Sequence, residues 1–185
     1  MPTTATRESG NFEKAPTGMQ QAVCSFVNDI GKQMGEYMGE PKISHKVIIT
    51  WELAEKKTQG NSAGEPFLVS KFYTLSLNEK ANLCKDLESW RGKSFTEDEL
   101  KGFDLEKLIG ANCFLNITES KNDGRIVSAV TPIAKGMMKI ERKYSSMPDG
   151  FAKWVQGLKD KAVHDAGTQE DDVPLPDETK GDLPF

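Results

Sequence analysis

Lysine and tyrosine side chains alternate with apolar ones along the stretch "PFLVSKFYTLS", and this pattern favours binding over catalysis. Strand alternation places Lys71 and Tyr73 on one face and Leu68 and Phe72 on the other. If the apolar pair faces the core, the opposite face presents an ammonium group beside an aromatic ring. Such a ring gives a nucleobase a stacking platform worth about 1–3 kcal/mol, while lysine neutralises phosphate. We therefore expect this face to bind single-stranded nucleic acid with little regard to sequence.

Other cations and one further tyrosine extend the predicted surface. They lie on the polar face of the second strand, in the Gly-rich turn "MGEYMGEPK", at the end of a helix and in a C-terminal hairpin. A lysine on a strand also serves solubility alone, and Tyr73 could instead cover the core. The complete set of predicted contact residues is Tyr37, Lys42, Lys46, Lys71, Tyr73, Arg91, Lys93, Lys121 and Arg125.

Catalytic and metal-binding patterns are missing from the sequence. It contains no phosphate-binding Gly-rich loop, no nucleophile elbow and no H-E-x-x-H helix. The three cysteines, Cys24, Cys84 and Cys113, lie singly within apolar segments, which predicts buried free thiols. Only two histidines, His45 and His164, are present, and they are far apart. We expect no enzyme, no metal and no cofactor.

Five strands and one connecting helix are predicted to position the surface. Strands are expected in "QQAVCSFVNDIGK", "SHKVIITWEL" and "PFLVSKFYTLS", and a hairpin with Asp123 and Gly124 at its tip in residues 111–133. Between them, "SLNEKANLCKDLESWRG" predicts a helix that begins with a capping box of Ser76 and Glu79 and ends at Gly92. This order predicts a mostly β protein, a five-stranded OB-fold barrel with a helix between strands 3 and 4. Several other small barrels also have five strands.

A second, C-terminal helix is predicted from an apolar stripe with helical spacing. The stripe consists of Phe151, Trp154, Val155 and Leu158. It could pack on the barrel or form a homodimer contact, and the sequence leaves both open.

Charge is divided unevenly along the chain. Seven acidic residues and one basic residue give residues 165–185 a net charge of −6. Because the whole chain carries −4, residues 1–164 have a net charge of +2. A mildly basic body with an acidic tail is expected when the body meets a polyanion, although such a tail can also serve solubility. We predict a flexible N-terminal arm at 1–18, the barrel at 19–145, the helix at 146–164 and a disordered tail at 165–185. No apolar run approaches the roughly 20 residues needed to cross a bilayer, which predicts a cytoplasmic protein without membrane contact.

The last four residues, Asp182, Leu183, Pro184 and Phe185, follow this acidic run. The ending resembles the acidic C-terminal tip of bacterial single-stranded DNA-binding proteins, which closes on Ile-Pro-Phe. Here leucine replaces the isoleucine, and the acidic residues are more dispersed. The resemblance implies that the tip docks on replication, recombination or repair enzymes.

The body resembles a different group of proteins. The segments "KVIITWEL", "VSKFYTLSLNEKANLCKDLESWRG" and "FTEDELKGFDLEKLIG" are similar to a family of bacteriophage OB-fold single-stranded DNA-binding proteins. The resemblance covers roughly residues 12–140 and implies a non-catalytic role: coating and protecting single-stranded DNA during phage replication or recombination, in the host cytoplasm. Two alternatives remain: an OB-fold protein-interaction or inhibitor module without nucleic-acid binding, and an RNA-binding OB-fold protein.

Overall fold

The computed structural model describes residues 12–163, and the fold is mostly β. Five strands form one antiparallel sheet, with one helix between the third and fourth strands and another at the C-terminal end of the described chain. The fold also contains two short 3-10 helices, at Gly60–Ser62 and Leu105–Leu108. The elements are β1 Gly18–Tyr37, β2 Glu40–Lys56, β3 Pro66–Thr74, α1 Asn82–Arg91, α2 Glu97–Leu100, β4 Asn112–Glu119, β5 Arg125–Thr131 and α3 Asp149–Asp160.

The strand order in the sheet is β3-β2-β1-β4-β5. The two outer strands, β3 and β5, also contact each other, so the sheet curls around an interior. We call the side of the sheet that faces this interior the inner face and the opposite side the outer face. Helix α1 packs against β3 and β5 from the inner side.

β1 and β2 are longer than the other strands and extend beyond them as a two-stranded ribbon. We define the ribbon as residues 31–37 and 40–46, which pair from Gly31–Lys46 to Tyr37–Glu40. The predicted turn at residues 34–42 is therefore present but shorter than expected, because strand pairing continues to Tyr37 and Glu40. The strands continue to a tight turn at Met38 and Gly39, both at positive φ, as in the two-residue turns that suit the twist of a hairpin.

The helix boundaries follow some of the predicted signals and not others. Gly92 ends α1 in the left-handed conformation, and Thr96 and Glu99 form the capping box of α2. The capping box predicted at Ser76 is wrong: α1 begins only at Asn82, and the Ser76 hydroxyl accepts a hydrogen bond from the Asn78 N–H in a turn. The connection before α1 is therefore a turn and not a helical extension.

The main core fills the inner side of the sheet. Trp51 and Trp90 are both buried there with ring centroids 6.0 Å apart, and the Trp90 indole N–H donates to the Asn112 carbonyl. All three cysteines are buried free thiols, which confirms the prediction. Burial raises the pKa of Cys24 to about 12, so this thiol stays protonated and unreactive.

A second apolar cluster covers part of the outer face. Phe151 and Val155 of α3 are buried against Phe26, Ile30 and Ile48. Of the two alternatives left open by the sequence, the structure shows the helix packed on the sheet, while a homodimer contact stays a prediction.

The N-terminal and C-terminal assignments are only partly described. Residues 12–17, assigned to a flexible arm, contact the body: Glu13 accepts hydrogen bonds from the backbone of Thr58 and Gln59, and Ala15 is buried. Residues 1–11 and the predicted tail at 165–185 lie outside the described residues.

Candidate nucleic-acid interface

Lys71 and Tyr73 do not form an exposed face. Lys71 is 7% exposed and Tyr73 is 2% exposed, because both point to the inner side of the sheet. There the Lys71 ammonium and the Tyr73 hydroxyl both donate to one carboxylate oxygen of Asp86 on α1, at 2.8 and 2.7 Å. The predicted exposure of this face is wrong, since α1 supplies the acid that lets a lysine be buried. Their burial removes both side chains from the surface that a nucleic acid can reach.

The prediction for the other face of β3 is wrong as well. Leu68 and Phe72, expected in the main core, lie on the outer face and pack against the cluster formed with α3. Both faces of β3 are thus covered, one by α1 and the other by α3. Alternation correctly separated the two sets of side chains, but it did not show which helix covers each.

Tyr37, Lys42 and Lys46 come together on the outer face of the ribbon. Lys46 lies opposite Gly31, Lys42 opposite Gly35, and Tyr37 at the end of the same row, so strand alternation places all three on one side. The Lys42 ammonium sits 5.6 Å from the centroid of the Tyr37 ring. These three predicted contact residues therefore share one face that carries two positive charges and an aromatic ring, together with the exposed carboxylate of Glu40 opposite Tyr37.

Two further aromatics lie at the base of this surface, and the sequence did not point to them. Phe72 is opposite Ile48 in the β2–β3 register, two residues along from the Lys46–Thr74 pair and therefore on the same face. Its ring meets Trp154 of α3 edge-on, with centroids 5.9 Å apart, and both side chains are partly exposed. The Lys46 ammonium donates to the Thr74 hydroxyl at 3.1 Å, which holds this lysine beside them. We call Tyr37, Lys42, Lys46, Phe72 and Trp154 the ribbon surface.

Arg91 is held inside the structure by its neighbours. Its guanidinium forms a 2.6 Å ion pair with Glu99 and lies 4.4 Å from the Phe95 ring centroid. Hydrogen bonds from the Thr96 backbone and from Arg91 lower the pKa of Glu99 to about 2. This arginine ties α1 to α2, and its side chain is only 15% exposed.

The remaining predicted cations lie away from the ribbon. Lys93 is exposed just after α1, and Lys121 is exposed in the β4–β5 turn. Arg125 donates to the Ala15 carbonyl and forms an ion pair with Glu119. The β4–β5 turn is next to the start of β1, where Gly18 pairs with Ile117, whereas the ribbon tip is at the other end of β1. The structure therefore does not join Lys121 and Arg125 to the ribbon surface.

A buried carboxylate on β2, that of Glu52, holds in place the chain that leads to α3. Glu52 is 2% exposed and accepts hydrogen bonds from the Ser25 hydroxyl and from the backbone N–H groups of Lys143 and Tyr144. The Tyr144 hydroxyl in turn donates to Glu65. The sequence alone does not predict this role, because a glutamate at position 52 would fit a solvent-exposed position of the strand equally well. The contacts anchor the segment before α3 on the outer face.

No protein-family model, curated protein or solved structure matches this chain. Within residues 12–163, no helix is long and apolar enough to cross a membrane. In the same part of the chain, no three His, Cys, Asp or Glu side chains are grouped as metal ligands. The predicted docking tip, Asp182 to Phe185, lies outside the described residues.

Proposed function

We propose that this protein is an OB-fold single-stranded DNA-binding protein and that the ribbon surface is its DNA interface. The fold-level support is the strand order, the approach of β3 to β5 and the helix between β3 and β4. This is the layout of an OB-fold, in which oligonucleotides lie over strands 2 and 3 and the loops that flank them. The ribbon is the extended β1–β2 connection of that layout.

The chemistry of the ribbon surface suits a flexible polyanion with aromatic bases. Tyr37, Phe72 and Trp154 offer aromatic rings to the bases, and Lys42 and Lys46 neutralise phosphates. Neither kind of contact reads a base sequence, so binding is sequence-independent. The observation that carries the proposal is that Tyr37, Lys42 and Lys46 share one face of the ribbon.

Helix α3 shapes where the DNA strand can run. It buries Phe26, Ile30 and Ile48 on the outer face of β1 and β2. A strand on this face is therefore displaced from the centre of the sheet towards the ribbon, across Phe72 and Trp154. The exposed Lys153 next to Trp154 adds a further positive charge beside this path.

The biological role follows from the sequence resemblances. The protein coats and protects single-stranded DNA in phage replication or recombination in the host cytoplasm. Its C-terminal tip, Asp182 to Phe185, recruits partner enzymes. No catalytic group is assigned to either activity.

Equilibrium titrations of labelled oligonucleotides, read by fluorescence anisotropy over a range of salt concentrations, test the proposal. Single-stranded DNA should bind more tightly than a duplex of the same sequence. The log-log salt dependence should be linear, with a slope of about −0.7 for each neutralised phosphate. Equal binding of single strand and duplex, or no binding, would favour a protein-interaction module. A clear preference for matched RNA would favour an RNA-binding protein.

A further inference from the structure

The positive charge of the described chain is concentrated in its C-terminal part. Residues 132–163 contain seven basic and three acidic residues, a net charge of +4. Because residues 1–164 together carry +2 and His164 is counted as neutral, residues 1–131 carry −2. The part of the chain that holds all five strands is thus slightly acidic. A polyanion is therefore expected to contact the chain that follows β5.

The chain between β5 and α3 crosses the outer face of the sheet as an extended segment. We call residues 134–144 the strap. On β4, the Asn112 side chain donates to the Ile140 carbonyl of the strap and accepts from the Ile140 N–H. On β2, the Glu52 carboxylate accepts hydrogen bonds from two further backbone N–H groups of the strap. Side chains of the sheet therefore hold the strap backbone in place.

The strap presents mainly cations to solvent. All five of its charged residues are exposed: Lys135, Lys139, Glu141, Arg142 and Lys143. Lys143 forms an ion pair with Glu65, and Arg142 donates to the Ser25 carbonyl. Within residues 12–163, neither Lys135 nor Lys139 forms an ion pair. A phosphate could therefore pair with either ammonium group without displacing a carboxylate of this part of the chain.

The C-terminal end of the strap lies beside the base of the ribbon surface. Tyr144, the last residue of the strap, packs in the same outer-face cluster as Phe72 and Trp154. Its hydroxyl donates to Glu65, just before β3. A DNA strand that crosses Phe72 and Trp154 therefore reaches the end of the strap, and the strap cations continue its path over the outer face.

We propose that the strap is a second phosphate-binding segment, so that one DNA strand runs from the ribbon surface to Lys139 and Lys135. This role of the strap rests on the proposed function, because it extends the same interface. Aromatic rings lie at the ribbon end of the path and cations at the strap end, a combination that binds a single strand without sequence preference. Since the strap backbone is held by the sheet, less order has to be imposed on it when DNA binds.

The salt dependence of binding tests the strap in the full-length chain, with a single strand of about 20 nucleotides, longer than the roughly 4–16 that one OB-fold covers. Lys135→Gln combined with Lys139→Gln should make the log-log slope shallower by about 1.4, because each neutralised phosphate contributes about −0.7. The matched control is Lys80→Gln combined with Lys85→Gln, which removes the same exposed charge near the start of α1, on the inner side. It should keep the wild-type slope. Equal slopes of the two double variants, with wild-type urea midpoints, would overturn the proposal.

Photo-cross-linking locates the bound DNA. The native cysteines are buried, so a photoreactive label can be attached to a single introduced cysteine. Met138→Cys, at a strap position that is 87% exposed, should then cross-link to the bound single strand. Leu100→Cys, at an exposed position of α2, is the control and should not. Equal yields from the two labelled variants would count against a DNA path over the strap.

The outcomes separate the strap from the proposed function and from the acidic tail. Absence of single-strand binding by the native chain would contradict the proposed function, and the role of the strap with it. Lys42→Gln combined with Lys46→Gln makes the same charge change on the ribbon surface. A shallower slope in that variant but not in the strap variant would overturn the role of the strap alone. A strap effect that disappears when residues 164–185 are removed would assign the strap to those residues, which also overturns the proposal.

Discussion

Two lysine–tyrosine pairs in this protein have nearly the same local geometry and opposite surroundings. Lys42 lies 5.6 Å from the Tyr37 ring centroid, and Lys71 lies 5.3 Å from that of Tyr73. The first pair is on the ribbon, partly exposed to solvent. The second is buried, and both of its polar groups donate to Asp86. A cation beside an aromatic ring therefore lies on a partly exposed surface in one place and within an interior ion pair in the other.

The largest expected effect comes from breaking the buried pair. Asp86→Ala leaves the Lys71 ammonium buried without its acid and the Tyr73 hydroxyl without its acceptor. Removing one partner of a buried ion pair costs about 3–5 kcal/mol, so the free energy of unfolding should fall by that amount in urea titrations. Asp98→Ala is the matched control, because Asp98 is 92% exposed and its ion pair with Lys101 lies on the surface. Similar stability of the two variants would show that the Asp86 contacts contribute little.

The sequence located the elements better than it located their surroundings. Gly92 ended α1 as predicted. Alternation along β2 places Val47, Ile49 and Trp51 on one face, and the structure buries all three. The same rule separated Lys71 and Tyr73 from Phe72 but could not tell which face is covered. That depends on Asp86 and on α3, which meet β3 only in the folded chain. The strand pattern determines which side chains share a face, and tertiary packing determines whether that face is covered by a helix or exposed to solvent.

The ribbon was missed for a local reason. Gly35 and Gly39 suggested a long turn, yet Gly35 is paired with Lys42 and only Gly39 serves the turn. A Cβ atom at Gly31 would lie 3.0 Å from that of Ala162, so this glycine lets the end of α3 approach the sheet. Tyr37, Lys42 and Lys46 were predicted individually. Their common face became evident only from the β1–β2 register.

A smaller, pH-dependent effect on stability is expected from the ion pair of Arg91 with Glu99, whereas no such role is assigned to the lysines of the ribbon surface. The pKa of Glu99 is lowered from its ordinary 4.5 to about 2, so this carboxylate stabilises the fold above pH 4.5. That contribution should be lost as the pH falls towards 2. Glu99→Gln should lower stability at pH 7 and flatten the decline between pH 4.5 and 2, as measured by thermal unfolding. An unchanged pH profile would mean that Arg91 and Glu99 are not coupled in solution.

The central claim is that DNA meets Tyr37 and not Tyr73, and affinity measurements on two tyrosine variants test it most directly. Tyr37→Ala should weaken binding of a single-stranded oligonucleotide by about 1–3 kcal/mol, roughly 5- to 150-fold, without changing the urea midpoint. Tyr73→Phe, which removes only the hydroxyl bonded to Asp86, should lower the urea midpoint and keep the wild-type affinity. Wild-type affinity in Tyr37→Ala together with weakened binding in Tyr73→Phe would contradict the account.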